Sequence, residues 1–253
     1  MKMHLLSGGR LRTRKSIYFP DAERSETIEL PVSGVLLRHS AGNLLFDTGC
    51  HPAVAEQPEA RWGSLAKLMT PIMEPGDNVI AALTGIGLSC DDIDIVVCSH
   101  LHPDHCGCNK FFRRGTVIVH AAELAAARAP DAEKAGYLAA DWAQATPPDT
   151  IDGERDVFGD GRIVLIPMPG HTPGTTAALV GLERSGTFLL ASDTVSLRST
   201  LDTGIIPKNT WNADALAKSL GEIRYIEAQG ATVLCGHDAA QWVSLRKGAD
   251  FYD

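Results

Sequence analysis

The sequence predicts an α/β fold in which two mixed sheets pack together and helices lie outside them. Short apolar segments typical of strands occur in both halves of the chain, and helix-like segments lie between them in the middle and at the end. Neither an internal repeat nor a shift in composition marks a boundary, so we expect one domain over residues 1–253. The length agrees with this, because single α/β domains reach about 250 residues.

The strand candidates are short apolar runs that turn residues separate. The run Ile93–Ser99 is apolar almost throughout, which is typical of a strand that is buried on both faces. The predicted strands are 27–38, 43–47, 93–99, 116–120, 162–168, 175–182, 187–192 and 232–235. Residues 40–42 are the predicted turn between the first two.

Three segments are predicted to be helices. Residues 77–83 have helical periodicity and begin with Asp77 as the capping residue. Residues 121–128 are rich in alanine, and residues 212–229 carry an apolar stripe that ends at a glycine. The segment Pro52–Pro75 is too long for a plain connection, so we expect it to cover a pocket.

The composition excludes several classes of protein. With 44% hydrophobic and 21% charged residues, the chain is not disordered. The net charge of −8 disfavours a nucleic-acid binder, and no apolar run reaches the roughly 18 residues of a membrane span. No signal peptide is predicted, so we expect a cytoplasmic protein whose six cysteines are thiols. Cys106 and Cys108 are predicted to be packing residues rather than metal ligands.

The strongest functional signal is the segment His100-Leu101-His102-Pro103-Asp104-His105, directly after the apolar run 93–99. Residues two apart in an extended chain point to the same side, so His100 and His102 can hold one metal ion. The proline favours a helical turn after His102, which directs Asp104 and His105 elsewhere, toward a second ion. This pattern predicts a metal centre.

Three further residues occupy matching contexts. His171, Asp193 and His237 each follow a predicted strand at its carboxyl end. Taken alone, each of these residues would more often have a structural role than bind a metal. Together with the first cluster they make five histidines and two aspartates, which are enough nitrogen and oxygen ligands for two divalent ions.

With these residues the sequence resembles the metallo-β-lactamase superfamily over about residues 27–247. The resemblance rests on the HxHxDH stretch 100–105, His171 in its PGHTPG loop, Asp193, His237 and the segment Leu45–Gly49. Within the superfamily, the Gly236-His237-Asp238 ending and Trp242 look most like N-acyl homoserine lactonases and γ-butyrolactone hydrolases.

The resemblance implies an αββα sandwich with two zinc ions at one edge. It assigns the first zinc to His100, His102 and His171. It assigns the second zinc to Asp104, His105 and His237. Asp193 would bridge the two ions, and Asp47 would orient a ligand imidazole. From the residues alone, Asp47 is equally well explained as a turn-forming residue. Iron, manganese or cobalt ions would suit the same ligands as zinc.

We therefore expect a dinuclear zinc hydrolase that opens a lactone ring by attack of a metal-bridging hydroxide. Asp104 is the expected catalytic residue, which passes a proton to the leaving alkoxide. One departure concerns the substrate: many quorum-quenching lactonases carry a tyrosine three residues after the bridging aspartate, where this chain has Ser196. A serine is too short to contact the substrate carbonyl in the same way.

Other functions stay open at this stage. A thioester or carboxylester hydrolase of the same superfamily would use the same ligands. A non-catalytic metal or ligand carrier is less favoured, because it has no need of a proton-carrying carboxylate, and the negative charge disfavours a nuclease. The expected partners are a small lactone or ester, with no nucleic acid and no membrane, and the protein is expected to be a monomer or a homodimer.

Overall fold

The computed structural model of the protein describes residues 1–144 and 146–253, and they form two sheets. Within these residues, the first sheet contains β1 (Lys2–Arg14), β2 (Thr27–His39), β3 (Gly42–Phe46), β4 (Thr70–Pro71), β5 (Ile95–Val97), β6 (Thr116–His120) and β7 (Asp149–Ile151). The second sheet contains β8 (Arg155–Asp156), β9 (Ile163–Pro167), β10 (Thr176–Leu182), β11 (Gly186–Ser192) and β12 (Thr232–Cys235).

Both sheets are mixed. The first has the order β4-β1-β2-β3-β5-β6-β7, antiparallel from β4 to β3 and parallel from β3 to β7. The second has the order β12-β11-β10-β9-β8, and only its β11–β12 pair is parallel among the residues described.

Helices cover the outer faces of the two sheets. They are α1 (Pro58–Trp62), α2 (Leu65–Leu68), α3 (Val79–Gly85), α4 (Pro103–Cys106), α5 (Ala121–Ala127), α6 (Ala139–Trp142), α7 (Arg198–Thr203), α8 (Ala213–Ala228) and α9 (Ala239–Ser244). Short 3-10 helices occupy 15–17, 52–55, 90–92, 109–111, 132–135 and 193–195. Over residues 1–144 and 146–253, no helix has both the length and the apolar character needed to cross a membrane.

Three of the four apolar clusters in the described residues hold these layers together. The central one lies between the sheets, where Phe46 and Val97 of the first sheet pack with Leu165 and Leu190 of the second. The other two lie between each sheet and its helices, as where Leu216 of α8 packs against the second sheet. Two packed sheets with helices outside confirm the predicted αββα fold.

Each predicted strand and helix has a counterpart in the structure, which also has further short elements that were not predicted. The strand β1 was missed, although it pairs with β2 along its whole length from Lys2↔Arg38 to Arg14↔Thr27. Helix α3 is capped by Asn78, whose side chain accepts a hydrogen bond from the Ala81 amide at 3.0 Å. The predicted cap, Asp77, instead accepts a hydrogen bond from the Ser7 hydroxyl.

Candidate metal centre

The seven predicted ligands meet at one edge of the sandwich, where strands from both sheets end. His100 and His102 follow β5, and His102 is the N-cap of α4, whose first residue is Pro103. Asp104 and His105 lie within that short helix. The others follow strands of the second sheet: His171 lies between β9 and β10, Asp193 follows β11, and His237 follows β12. All but His102 are at least nine-tenths buried.

The first group of candidate ligands is His100, His102 and His171, with donor atoms that lie within 4.8 Å of one another. The His171 Nε2 and His102 Nδ1 atoms are 3.1 Å apart. The Nε2 of His102 is 3.0 Å from the Ala135 carbonyl oxygen, so that nitrogen carries the proton and donates it there. This leaves Nδ1 of His102 as the nitrogen that faces the group.

The second group is Asp104, His105 and His237, and its donor atoms also lie within 4.8 Å of one another. The two Nε2 atoms of His105 and His237 are 3.3 Å apart, and each is 3.6 Å from Oδ2 of Asp104. The Nδ1 of His237 donates to the Pro31 carbonyl oxygen at 2.8 Å, which leaves its Nε2 for the group.

Asp193 lies between the two groups and turns one oxygen toward each. Its Oδ2 is 3.4 Å from Nε2 of His171 in the first group. Its Oδ1 is 2.9 Å from Nε2 of His237 and 3.7 Å from Nε2 of His105 in the second group. The preceding residue of His237 is Gly236, where a Cβ atom would lie only 2.6 Å from Asp193 Oδ1. A glycine is therefore required for this approach.

Asp47 and Ser99 orient one imidazole of each group. Oδ2 of Asp47 accepts hydrogen bonds from Nδ1 of His105 at 2.8 Å and from the Ser99 hydroxyl at 2.7 Å. Its Oδ1 accepts from the Ser99 amide at 2.7 Å. The Ser99 oxygen lies 3.0 Å from Nδ1 of His100, which donates to it. Asp47 itself is buried with φ 61°, a left-handed conformation that aspartate tolerates better than most residues.

These hydrogen bonds show that the site fits a divalent cation. Each of four imidazoles donates its proton outward: His100 to Ser99, His102 to the 135 carbonyl, His105 to Asp47, and His237 to the 31 carbonyl. Their other nitrogens point inward, where a bound cation would take their lone pairs. The Nε2 of His100 is buried and finds no hydrogen-bond partner in the described part of the chain. Bare imidazole nitrogens that converge with carboxylate oxygens are the ligands that zinc and similar ions take.

The electrostatics of the site also favour bound positive charge. Burial lowers the pKa of His100 well below its usual range, so this imidazole is neutral. Burial acts in the same direction on His105, but Asp104 and Asp47 outweigh it and raise its pKa to about 10. Burial would raise the pKa of Asp193, yet the imidazoles of His237 and His171 hold it well below its usual range.

Asp47 orients the His105 imidazole, as the family resemblance implied, but sequence reasoning missed the other groups that orient the ligands. Two of them are backbone carbonyls, which carry no sequence signal. Ser99 does have one, because it is the residue immediately before the HxHxDH motif.

The remaining histidines and the two cysteines near the motif lie outside the ligand groups. Four histidines have hydrogen-bond partners outside the metal centre: His4 contacts the Gly248 carbonyl, His39 contacts Asp160, His51 contacts the Ala53 amide, and His120 contacts the Ala122 amide. Cys106 and Cys108 are buried in the apolar cluster beside α5. Burial holds the pKa of the Cys106 thiol well above its usual range, which keeps it neutral.

Comparisons with known proteins identify the family of the chain. Residues 27–246 match the family model described as the metallo-beta-lactamase superfamily. The chain is 30% identical to N-acyl homoserine lactonase AttM of Azorhizobium caulinodans, over an alignment that covers 100% of this chain and 99% of the relative. It is 34% identical to N-acyl homoserine lactonase AiiB of Agrobacterium fabrum, with 90% of this chain and 87% of the relative covered.

A solved structure shares the fold over nearly its whole length. It is an N-acyl homoserine lactone hydrolase with the product N-hexanoyl-L-homoserine bound at its catalytic metal centre, and it matches with a TM-score of 0.89 at 24% identity. The match covers 99% of this chain and 98% of that one. The family resemblance seen in the sequence is thereby confirmed, and the chain belongs to the metallo-beta-lactamase superfamily.

Proposed function

We propose that the protein is a dinuclear zinc hydrolase that opens the ring of an N-acyl homoserine lactone or a related lactone. The observation that carries this proposal is the pair of ligand groups on either side of Asp193, with imidazole nitrogens turned inward. The names of the full-length relatives, which are lactonases, support the substrate class.

Seven residues would hold the two ions. The first ion would be held by His100, His102 and His171. The second would be held by Asp104, His105 and His237. Asp193 would be shared, one oxygen to each ion. When bound, the ions would polarise an ester carbonyl and supply a nucleophilic water at neutral pH.

Asp104 would be the proton carrier of the reaction. Hydrolysis forms a bond from water oxygen to the carbonyl carbon and breaks the bond from that carbon to the ring oxygen. The ring oxygen leaves as an alkoxide and must gain the proton that water loses. Asp104 is 3% exposed and lies in the second group, 3.6 Å from both imidazole nitrogens, so its carboxylate is at the reacting edge and can carry that proton.

A substrate panel on one zinc-reconstituted preparation tests the proposal. The panel contains γ-butyrolactone, N-hexanoyl-L-homoserine lactone, an open-chain ester of matched size and the matched thioester. We expect the highest kcat/KM for the lactones, and loss of turnover after chelation with recovery on adding zinc. Faster hydrolysis of the thioester or the open-chain ester would replace the lactonase proposal with the corresponding hydrolase. Absence of turnover on every substrate would favour a metal carrier.

Elemental analysis of the same preparation tests the number of ions. The two ligand groups predict close to two ions per chain at full reconstitution. A content of no more than one would contradict the dinuclear site while leaving open a hydrolase with a single ion.

A further inference from the structure

Glu123 is a buried glutamate that joins two segments of the metal centre. It lies in α5 and is fully buried. Its Oε1 accepts a hydrogen bond from the Leu101 amide at 3.0 Å. Its Oε2 accepts one from the Gly174 amide, also at 3.0 Å. Each oxygen of one carboxylate thus holds a different segment of the chain, and the two segments are distant in sequence.

These two segments carry all three candidate ligands of the first group. Leu101 lies between His100 and His102, and Gly174 ends the PGHTPG loop that contains His171. The side chain of Leu101 packs in the apolar cluster beside α5. Residues two apart in an extended chain point to one side, so the two histidines face away from Leu101. The backbone between them is therefore anchored to α5 at its middle residue.

The contact at Gly174 leaves no room for a side chain. A Cβ atom there would lie 2.5 Å from both the Cβ and the backbone nitrogen of Glu123. Atoms in protein interiors do not pack this closely, so the loop lies directly against the backbone of α5. This approach brings the Gly174 amide to the carboxylate and fixes the loop of His171 relative to α5.

The second group of ligands has anchors of its own. Asp104 and His105 lie in α4, where the Thr48 amide donates to the His105 carbonyl at 2.7 Å. The His237 amide donates to the Ser196 carbonyl at 2.8 Å. Loss of the Glu123 contacts should therefore affect the first group much more than the second.

A carboxylate suits this position better than a neutral side chain. Burying one is costly, because it loses its hydration, and the two amide donors offset part of that cost. Hydrogen bonds to an ionised acceptor are also stronger than those between neutral groups. A glutamine of the same shape has only one acceptor oxygen, so it can satisfy one of the two amides. The carboxylate satisfies both and thereby sets the distance between the two segments.

We propose that Glu123 is a positioning residue of the metal centre, which holds the Leu101 and Gly174 segments at the spacing that the first ion requires. It acts through the three imidazoles of the first group, as Asp47 acts through His105 in the second. The inference rests on the proposed metal-dependent function and names a residue that shapes one of its two ion sites.

Glu123→Gln is the direct test, because it keeps the shape and replaces one acceptor oxygen with an NH2 group. Donor then faces donor at one of the two amides, and that segment moves away. We expect the zinc constant of the first ion to weaken about 10–100-fold, as is typical when a group that orients metal ligands is lost, and the other constant to stay close to wild type. Competition with a chromophoric chelator measures both constants. Glu222→Gln is the matched control, because it makes the same change at an exposed position of α8.

The double variant Glu123→Gln/Asp47→Asn identifies which ion is affected. Asp47 orients His105 of the second group, so the double variant should weaken both zinc constants. If one constant stays at its wild-type value, the two residues act on the same ion and the proposal is overturned. The imidazole nitrogen shifts of zinc-loaded protein give a second readout. Those of His102 and His171 should move in Glu123→Gln, and that of His237 should not.

A general loss of stability has a different signature. Equal weakening of both constants, or a lower melting temperature with both constants unchanged, would assign Glu123 to the fold alone and overturn the proposal. If Glu123→Gln does not fold, Gly174→Ala takes its place, because the added methyl group must push the loop away from α5. It should weaken the first constant, and two unchanged constants would overturn the proposal.

The two proposals fail in different ways, because zinc binding is measured without substrate. Wild type that binds two ions but hydrolyses no lactone or ester defeats the proposed function, and the zinc constants still decide the role of Glu123. Active wild type beside a Glu123→Gln protein with unchanged constants overturns the role of Glu123 alone. Wild type in which His102 and His171 bind no zinc overturns the dinuclear site and the role of Glu123 together.

Discussion

Asp47→Asn is the substitution whose effect the structure defines most closely. Asparagine tolerates the left-handed backbone at φ 61°, and its amide oxygen can still accept from the Ser99 amide. The NH2 group, however, replaces the oxygen that now accepts from His105 at 2.8 Å and from the Ser99 hydroxyl at 2.7 Å. Donor then faces donor, so His105 either moves or shifts its proton to Nε2, the nitrogen assigned to the metal.

The expected cost falls on the metal held by His105. Loss of a partner that orients a metal ligand typically weakens metal affinity about 10–100-fold. At about 1.4 kcal/mol for each factor of ten, this is about 1.4–2.8 kcal/mol. The ion held by His100, His102 and His171 should bind nearly as before, because His100 keeps the Ser99 oxygen as its hydrogen-bond acceptor.

Competition with a chromophoric zinc chelator measures both binding constants. We expect one of the two zinc constants of Asp47→Asn to weaken by the stated factor and the other to stay close to wild type. Asp160→Asn is the matched control, because it removes a carboxylate 2.9 Å from His39 in a pair outside the metal centre. Two unchanged constants in Asp47→Asn would refute the claim that Asp47 orients a metal ligand.

Three other predictions follow from the same geometry. Asp193→Ala should lower metal content and activity together, since the carboxylate faces both ligand groups; two tightly held ions and a normal rate would contradict the bridge. Asp104→Asn, assayed at full metal occupancy, should slow an alkyl lactone by about 10²–10⁴ but a nitrophenyl ester much less, because nitrophenolate leaves without a proton. Equal losses would leave Asp104 as a ligand only. Removing the metals should lower the melting temperature, because an ion at 1,000 times its dissociation constant adds about 4 kcal/mol to folding; an unchanged melting curve after verified metal removal would count against ligands held in this buried cluster.

The sequence was sufficient to predict the fold class and to name all seven residues that converge. The reason is local: each lies at the end of an apolar strand, and such strand ends meet at one edge of a packed sandwich. Strand β1 was missed because no single pattern runs along it. Residues 3–6 are all buried, whereas buried and exposed residues alternate after Gly9, which has φ 121°. The two parts form one strand because both pair with β2.

The contacts that orient His102 and His237 could not be predicted, because they join segments that are distant in sequence. The acceptors for His102 and His237 are the carbonyls of residues 135 and 31, 33 and 206 positions away. No residue type marks a carbonyl that accepts a hydrogen bond, so no motif reports it.

This distribution of contacts determines how the site responds to mutation. Backbone carbonyls orient His102 and His237, so no side-chain substitution removes those acceptors directly. Side chains orient two more imidazoles, His100 through Ser99 and His105 through Asp47. Because the Ser99 hydroxyl and amide both donate to Asp47, these two side chains form one hydrogen-bonded unit that reaches one imidazole of each ligand group. Asp47 and Ser99 therefore position one imidazole of each group from the protein side of the ligands, and they do so before any ion is bound.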